Sequence, residues 1–261
     1  MKLSIITVNY NDEKGLERTI KSVVSQTFRD FEFIVIDGGS TDGSVDIIKK
    51  YESNIDYWVS EPDGGIYQGM NKGLHQSKGD YVNFMNSGDC FHTPNVLEQI
   101  FSLGTDADII TGTHVGSPHP NIGKDGITMY TLCTGAVDHQ ASFIKRDVAL
   151  RHPYDEKYRI VSDWKFFIEA LILDNCSFFY TDTIVVDVDM TGISNTDYEL
   201  NDRERKNVLK ELFPERILTD YRLLMSIHPD LLKAAPRITK SQSIRKVVIK
   251  LANILFMFKK A

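Results

Sequence analysis

The chain has 261 residues, 42% of them hydrophobic and 25% charged, with a formal net charge of −6, which suits one large soluble domain or a domain with an appendage. Net negative charge argues against non-specific nucleic-acid binding, which depends on Lys and Arg meeting phosphates. Three scattered cysteines, Cys90, Cys133 and Cys176, with no Cys-x-x-Cys pair, exclude a zinc knuckle or a disulfide framework and fit a reducing cytosol.

Leu3 to Val8 is an apolar, β-branched run that reads as a strand and ends in Asn9-Tyr10-Asn11. That run is too short for a signal peptide, and no segment approaches the ~18 apolar residues of a membrane span. Asn11 or Asp12 can cap a helix whose Leu16, Ile20, Val23 and Val24 share one face. Phe31 to Ile36 is a second strand, ending in Asp37-Gly38-Gly39-Ser40; Ser40 or Asp42 can cap a helix carrying Val45, Ile48 and Tyr51. Tyr57 to Val59 is a short third strand, and Gly64-Gly65 opens a helix with Ile66, Met70 and Leu74. Tyr81 to Met85 is the central strand and runs into Asn86-Ser87-Gly88-Asp89. Thr93-Pro94 reads as a cap with proline in the first turn, before Val96, Leu97, Ile100 and Phe101. Asp108 to Thr111 is a further strand.

Strands alternating with helices predict an α/β fold with a mainly parallel sheet covered on both faces. Three strands then deliver polar side chains to one carboxyl edge, where open α/β sheets bind ligands. From 113 to 132 the pattern fades into a loop or irregular hairpin around Gly116, Pro118, Pro120, Gly123 and Gly126. Ala141 to Ile144 is a strand candidate. Ser162 can cap a helix with a broad apolar face of Phe166, Phe167, Ala170, Leu171 and Leu173, and Phe178 to Tyr180 and Ile184 to Val188 read as two strands. Beyond Ser194 the chain reads as helical. The expected divisions are 1–112 and 113–193, two halves of one domain, and a helical region 194–261.

No Gly-x-Gly-x-x-Gly follows the first strand, and neither a phosphate-loop signature nor a Gly-x-Ser-x-Gly elbow is present, which argues against dehydrogenases, P-loop enzymes and that class of hydrolase. The run of motifs Ser4 to Asn11, Ile34 to Gly43, Asn71-Lys72-Gly73 and Phe84 to Asp89, followed by His139-Gln140-Ala141-Ser142-Phe143 and Val161-Ser162-Asp163-Trp164, resembles the family-2 glycosyltransferases of the GT-A fold over about residues 1–190. The resemblance implies a nucleotide-diphosphate sugar as donor, UDP favoured, and a glycan or lipid-linked acceptor, with inversion at the transferred sugar. It implies nucleotide contacts at Thr7, Asn9, Asp37, Asp63, Asn71, Asn86 and Ser87. It implies a divalent cation, Mn²⁺ or Mg²⁺, at Asp89 with His139 as a further contact, acceptor contacts at Gln140 and Trp164, and Asp163 as general base. The chain departs from the family pattern twice: Asn86-Ser87-Gly88-Asp89 stands where an Asp-x-Asp is usual, and Ser162-Asp163 where a Glu-Asp pair is usual. A catalytically weak nucleotide-sugar-binding protein and a nucleotidyltransferase stay open as rivals. The Gln-x-x-Arg-Trp motif of processive synthases is absent, so one sugar per encounter is expected.

In the stretch 241–258, Ile244, Val247, Val248, Leu251, Ile254, Leu255 and Phe258 form a stripe bordered by Arg245, Lys246 and Lys250, with Lys259 and Lys260 just beyond. Such a helix can lie on an anionic membrane surface. It can equally dock on its own domain or on a second subunit of a homo-oligomer. The expected location is cytoplasmic, with peripheral contact at the inner membrane face.

Overall fold

A computed structural model describes residues 1–115, 126–135, 137–189, 197–227, 235 and 238–258, the last seven by backbone alone. The calls on Gly116, Pro118, Pro120, Gly123, Ser194, Lys259 and Lys260, and on the side chains of Ile254, Leu255 and Phe258, lie outside these residues. The chain divides into two compact units, Met1–Lys206 and Asn207–Ala261. Strands from the expected halves 1–112 and 113–193 share one sheet, and 197–206 falls in the first unit.

The strands are β1 (Leu3–Asn9), β2 (Phe31–Asp37), β3 (Tyr57–Ser60), β4 (Tyr81–Phe84), β5 (Cys90–Phe91), β6 (Ile109–His114), β7 (Ser142–Lys145) and β8 (Phe178–Asp187). They form one sheet in the order β3-β2-β1-β4-β7-β6-β8-β5. β3, β2, β1 and β4 are mutually parallel; β7 runs antiparallel to both neighbours, β6 pairs parallel with β8, and β5 runs antiparallel to β8. The two short strands expected at Phe178–Tyr180 and Ile184–Val188 are one continuous strand, in which Thr181-Asp182-Thr183 fall at a register shift between the pairs Thr111–Tyr180 and Thr113–Ile184.

Among the described residues the helices are α1 (Glu13–Val24), α2 (Ser44–Lys50), α3 (Ile66–Gln76), α4 (Val96–Phe101), α5 (Met129–Thr134), α6 (Arg146–Arg151), α7 (Ser162–Phe167), α8 (Tyr198–Leu212), α9 (Glu215–Met225) and α10 (Gln242–Phe258). α7 runs directly into a wide π turn, Ile168–Leu173. Asp12 caps α1, its carboxylate accepting from Gly15 N at 3.0 Å. Other caps differ from expectation. Gly43 precedes α2, with Asp42 accepting from Ser44 N, and Asn95 rather than Thr93 stands before α4. Ser162 is the first residue inside α7, and its hydroxyl accepts from Asp155 N at 2.5 Å. A hydroxyl needed by a neighbouring loop is not free to cap.

All seven residues of β1 are buried, as expected for a strand covered on both faces. Leu3 and Ile5 join Phe33 and Val35 of β2 against Leu16, Ile20 and Val23 of α1 and Ile48 of α2. Each such side chain contributes roughly 1.5–3 kcal/mol on burial. On the other face α3 lies so close to β1 that a Cβ at Gly73 would stand 2.4 Å from Ile6, and one at Gly69 2.7 Å from Val8. The register sets Asn9 opposite Asp37, Asp37 opposite Ser60, and Ile6 opposite Phe84, so the carboxyl ends of β1, β2, β3 and β4 meet at one edge.

Candidate active site

The edge is organised by Asp37. Its carboxylate is fully buried and takes four donors: Asn9 Nδ2 at 2.7 Å and Ser40 Oγ at 2.5 Å on Oδ1, Ser40 N at 2.9 Å and Ser60 Oγ at 2.6 Å on Oδ2. Burial alone would raise its pKa, but the hydrogen bonds from Ser40, Ser60 and Asn9 outweigh it and hold the group below its ordinary value. Four donors fill the lone-pair sites of a carboxylate, so a direct bond from Asp37 to a base, the expectation from the motif, has no acceptor site left. Asp37 instead fixes the shelf formed by Asn9 and Ser40. Thr7 is likewise buried and ties β1 to β4 by donating to Met85 O at 2.7 Å, rather than facing a ligand.

Above this shelf opens a cleft of about 750 Å³. Tyr10, Gly38 and Gly39 form one wall, the turn Asp63-Gly64-Gly65 and Tyr67 another, Asn86 and Ser87 a third, and Tyr158 with Arg159 the rim. Gly65 precedes α3 at φ +130°, a conformation that side chains rarely adopt. Asp63 Oδ1 accepts from Gly65 N at 2.9 Å, which turns the loop back over Gly38. Thus Asn9, Asp63, Asn86 and Ser87 of the expected nucleotide contacts do line the cleft. Asn71 does not. It is buried on α3 and clamps the backbone of Tyr154, accepting from its N at 2.9 Å and donating to its O at 2.8 Å.

Two acceptors at the cleft are buried without partners, Asn9 Oδ1 and Asn86 Oδ1. Unsatisfied buried oxygens in a polar cleft are sites for a ligand donor or a cation. Asp89 lies at the end of the same β4 turn, 5% exposed, with its Oδ1 accepting from Asp189 N at 2.8 Å. Burial raises its pKa, against the backbone bond from Asp189, the charge of His139 and a hydrogen bond from Gln140. Gln140 therefore sits on the Asp89 side; its backbone oxygen also takes Asn83 Nδ2 at 2.8 Å.

His139 joins the two halves of the sheet. Its Nδ1 lies 3.0 Å from Asp163 Oδ2 and its Nε2 3.3 Å from Asn86 Nδ2. Asp163 Oδ1 accepts from Tyr67 OH at 2.9 Å, and the same hydroxyl reaches Ile160 O at 2.6 Å. Burial would lower the pKa of His139, but the Asp163 carboxylate, helped by the charges of Asp89 and Asp138, raises it. Burial would raise the pKa of Asp163, but His139, with Tyr67 beside it, lowers it. Both shifts favour the charged pair, whereas the Asn86 Nδ2 contact requires His139 Nε2 to accept, as it does in the neutral imidazole. Asp163 keeps 23% of its side chain exposed; it is tied to the cleft lining through Tyr67 and, by way of His139, through Asn86. To ligate a cation, His139 Nε2 must first leave Asn86.

Trp164 corrects the expectation of a sugar-stacking ring. It is 5% exposed, its indole N–H donates to Leu132 O at 2.7 Å, and the Arg205 guanidinium covers its face at 4.5 Å. No ring face is left for a sugar. Residues missed from sequence are Tyr10, Ser40, Ser60, Tyr67 and Arg159. Tyr10 alone carried a local signal: an aromatic directly after a buried strand, 66% exposed.

The model of glycosyl transferase family 2 matches residues 4–125. An uncharacterised glycosyltransferase of Mycobacterium tuberculosis is 34% identical over 207 residues, which cover 74% of this chain and 77% of the relative. A PGL/p-HBAD biosynthesis glycosyltransferase of Mycobacterium bovis is 25% identical over 255 residues, 94% of this chain and 95% of that protein. Among solved structures, Staphylococcus aureus TarS 1–349 in complex with UDP-GlcNAc superposes with a TM-score of 0.63 at 20% identity, over 76% of this chain and 61% of TarS 1–349. Glucosyl-3-phosphoglycerate synthase of M. tuberculosis, in complex with Mn²⁺, UDP and glucosyl-3-phosphoglycerate, does so at 0.55 and 15% identity, over 77% and 76%. The chain belongs to glycosyltransferase family 2, and its fold is GT-A. It is a glycosyltransferase, which sets the nucleotidyltransferase rival aside.

Proposed function

We propose that the protein transfers a sugar from a nucleotide-diphosphate donor, UDP favoured, to a glycan or lipid-linked acceptor in a single inverting displacement. The observation that carries the reading is the hydrogen-bonded pair His139–Asp163, set between Tyr67 on the cleft wall and Asn86 just past the end of β4. In that step the acceptor oxygen bonds to the anomeric carbon while the carbon–oxygen bond to the diphosphate breaks, its electron pair leaving with the phosphate. The acceptor proton passes to Asp163. Both its oxygens already hold a hydrogen bond, yet each keeps a second lone pair, and the exposed part of the side chain leaves an approach. Its lowered pKa keeps it ionised at neutral pH, as a base must be.

On the donor side, the unpartnered Asn9 Oδ1 suits a ring N–H of the base, and the exposed Tyr10 suits stacking on it. Asn86 and Ser87 suit the ribose. A divalent cation would be held by Asp89 and the unpartnered Asn86 Oδ1, where it would offset charge on the leaving diphosphate. The fit is that of a weak site: one carboxylate is a sparse donor set for a hard cation, and no group of three His, Cys, Asp or Glu side chains occurs among the described residues. Burial disfavours the charge on Asp89, so a cation arriving with the diphosphate would stabilise it most. Similarity to a PGL/p-HBAD biosynthesis glycosyltransferase over nearly the whole chain supports a glycan or lipid-linked acceptor. So does α10, whose Ile244, Val247, Val248 and Leu251 are exposed beside Arg245, Lys246 and Lys250; peripheral membrane contact is read for it. No helix among the described residues is long and apolar enough to cross a membrane.

A thermal-shift screen of nucleotide sugars with Mn²⁺ or Mg²⁺ tests the donor reading, since ligands that bind only the folded state raise the melting temperature. Asp163→Asn tests the base. It keeps the shape and is expected to lower kcat by roughly 10²–10⁴, with donor affinity little changed. Transfer at near wild-type rate by this variant rules Asp163 out as the base.

A further inference from the structure

We infer that Arg159 is the protein's own counter-charge for the donor diphosphate, and that Glu204, on α8, is the positioning residue that aims it. The inference rests on the nucleotide-diphosphate reading above.

The charged residues among those described at the cleft are Asp63, Glu156 and Arg159. A diphosphate entering this cleft adds negative charge to two carboxylates, and Asp89 lies just beyond. Arg159 is exposed there, and its planar fork matches phosphate oxygens in two parallel hydrogen bonds. The weak cation site makes such a residue more consequential. With a single carboxylate to hold a metal, a fixed guanidinium is the positive charge that needs no loading.

An arginine on a loose loop loses much of this value to the entropy of ordering it. Here the loop is pinned at both ends. Asn71 holds Tyr154 by its N–H and its carbonyl, and donates to Glu156 Oε1 at 3.0 Å. At the far end the Glu204 carboxylate accepts from Arg159 N at 3.0 and 3.2 Å and from Ile160 N at 3.0 Å. Glu204 is 6% exposed. A carboxylate buried that far is costly unless it is hydrogen-bonded, and both amides it takes belong to the residue in question and its neighbour. Tyr158 and Ile160 on either side are buried, which leaves Arg159 directed outward. The same segment continues to the base, because Ile160 O accepts from the Tyr67 hydroxyl that holds Asp163. Glu204 lies well outside the stretch 4–125 matched by the family model, so no motif marks it.

The test is calorimetric titration of the full chain with UDP and with uridine, with chelator present so that no metal supplies the charge. Wild type should bind UDP more tightly than uridine. Arg159→Ala should weaken UDP binding roughly 10- to 100-fold and leave uridine unchanged, and Arg159→Lys should recover part of the loss. Glu204→Gln should lower the UDP-to-uridine ratio in the same direction. The double variant should be no worse than Arg159→Ala, because the two residues act as a unit. A merely structural Glu204 would lower the melting temperature and both affinities together, with losses that add to those of Arg159→Ala; that result removes its positioning role. Wild-type UDP affinity in Arg159→Ala overturns the inference while leaving the donor reading intact. Failure of the wild-type chain to bind UDP or any other nucleoside diphosphate, with Mn²⁺ as well as with chelator, overturns both.

Discussion

Asp37 shows how a buried carboxylate acquires its role from its donors. Asp37 has every acceptor site filled by Asn9, Ser40 and Ser60. Its folded-state pKa is depressed, so its charge contributes stability above the ordinary carboxylate value of about 3.9. That contribution is lost as pH falls through the folded value. Asp37→Asn should therefore be less stable than wild type at neutral pH, and the gap should narrow below about pH 4. Urea melts at pH 7 and pH 3 check this; an unchanging gap means that the charge does not hold the shelf. Nucleotide affinity should also fall, through misplacement of Asn9. Asp89 has the opposite shift, since burial raises its pKa, and the cation is expected to act there. Asp89→Ala should abolish any extra melting-temperature gain from adding Mn²⁺ to a bound nucleotide sugar. A full Mn²⁺ effect in that variant places the cation elsewhere.

Among the elements, α3 does most to shape the cleft. Its glycines let it lie directly on β1, and its first turn carries Tyr67 to Asp163. Gly73→Ala would gain about 1 kcal/mol of helix propensity. The new methyl would stand 2.4 Å from Ile6, a fully buried β-branched side chain in a central strand. Overpacking of this kind costs about 1–3 kcal/mol, so a net loss of stability is expected in urea denaturation. Unchanged or increased stability would show that α3 shifts freely, and the cleft wall with it. The caps teach the same lesson at their own positions. Ser162 looks like a helix cap, yet its hydroxyl serves Asp155, a partner brought by the fold rather than by adjacency.

The whole chain is electrically lopsided. Residues 231–261 carry eight Lys and Arg and no acid, while the remainder carries 22 bases against 36 acids. A basic stripe on an acidic protein fits an anionic surface, where each Lys or Arg contributes about 1 kcal/mol. Truncation after Lys240 should cut binding to vesicles containing phosphatidylglycerol and leave transfer to a soluble acceptor intact. Equal vesicle binding by both forms sinks the membrane reading. A drop in molar mass by light scattering on truncation would assign the stripe to a second subunit instead.

The alternating strands and helices of residues 3–101, and the polar residues that end β1, β2 and β4, were legible in the sequence. They were legible because hydrophobic periodicity and strand-end chemistry are local, and a parallel sheet places strand ends at one edge. The edge was therefore readable, with Asn9, Asp63, Asn86, Ser87 and Asp89 on it. Which face each side chain presents was not. Thr7 and Asp37 turn inward to partners 78 and 23 residues away, Trp164 is closed over by Arg205, and Asn71 grips a loop 83 residues distant. Pairings at such separations leave no periodic trace in the chain. The pairing of His139 with Asp163, and the hold of Glu204 on Arg159 and Ile160, exist only because the sheet and α8 bring those segments together, and the tertiary structure alone decided them.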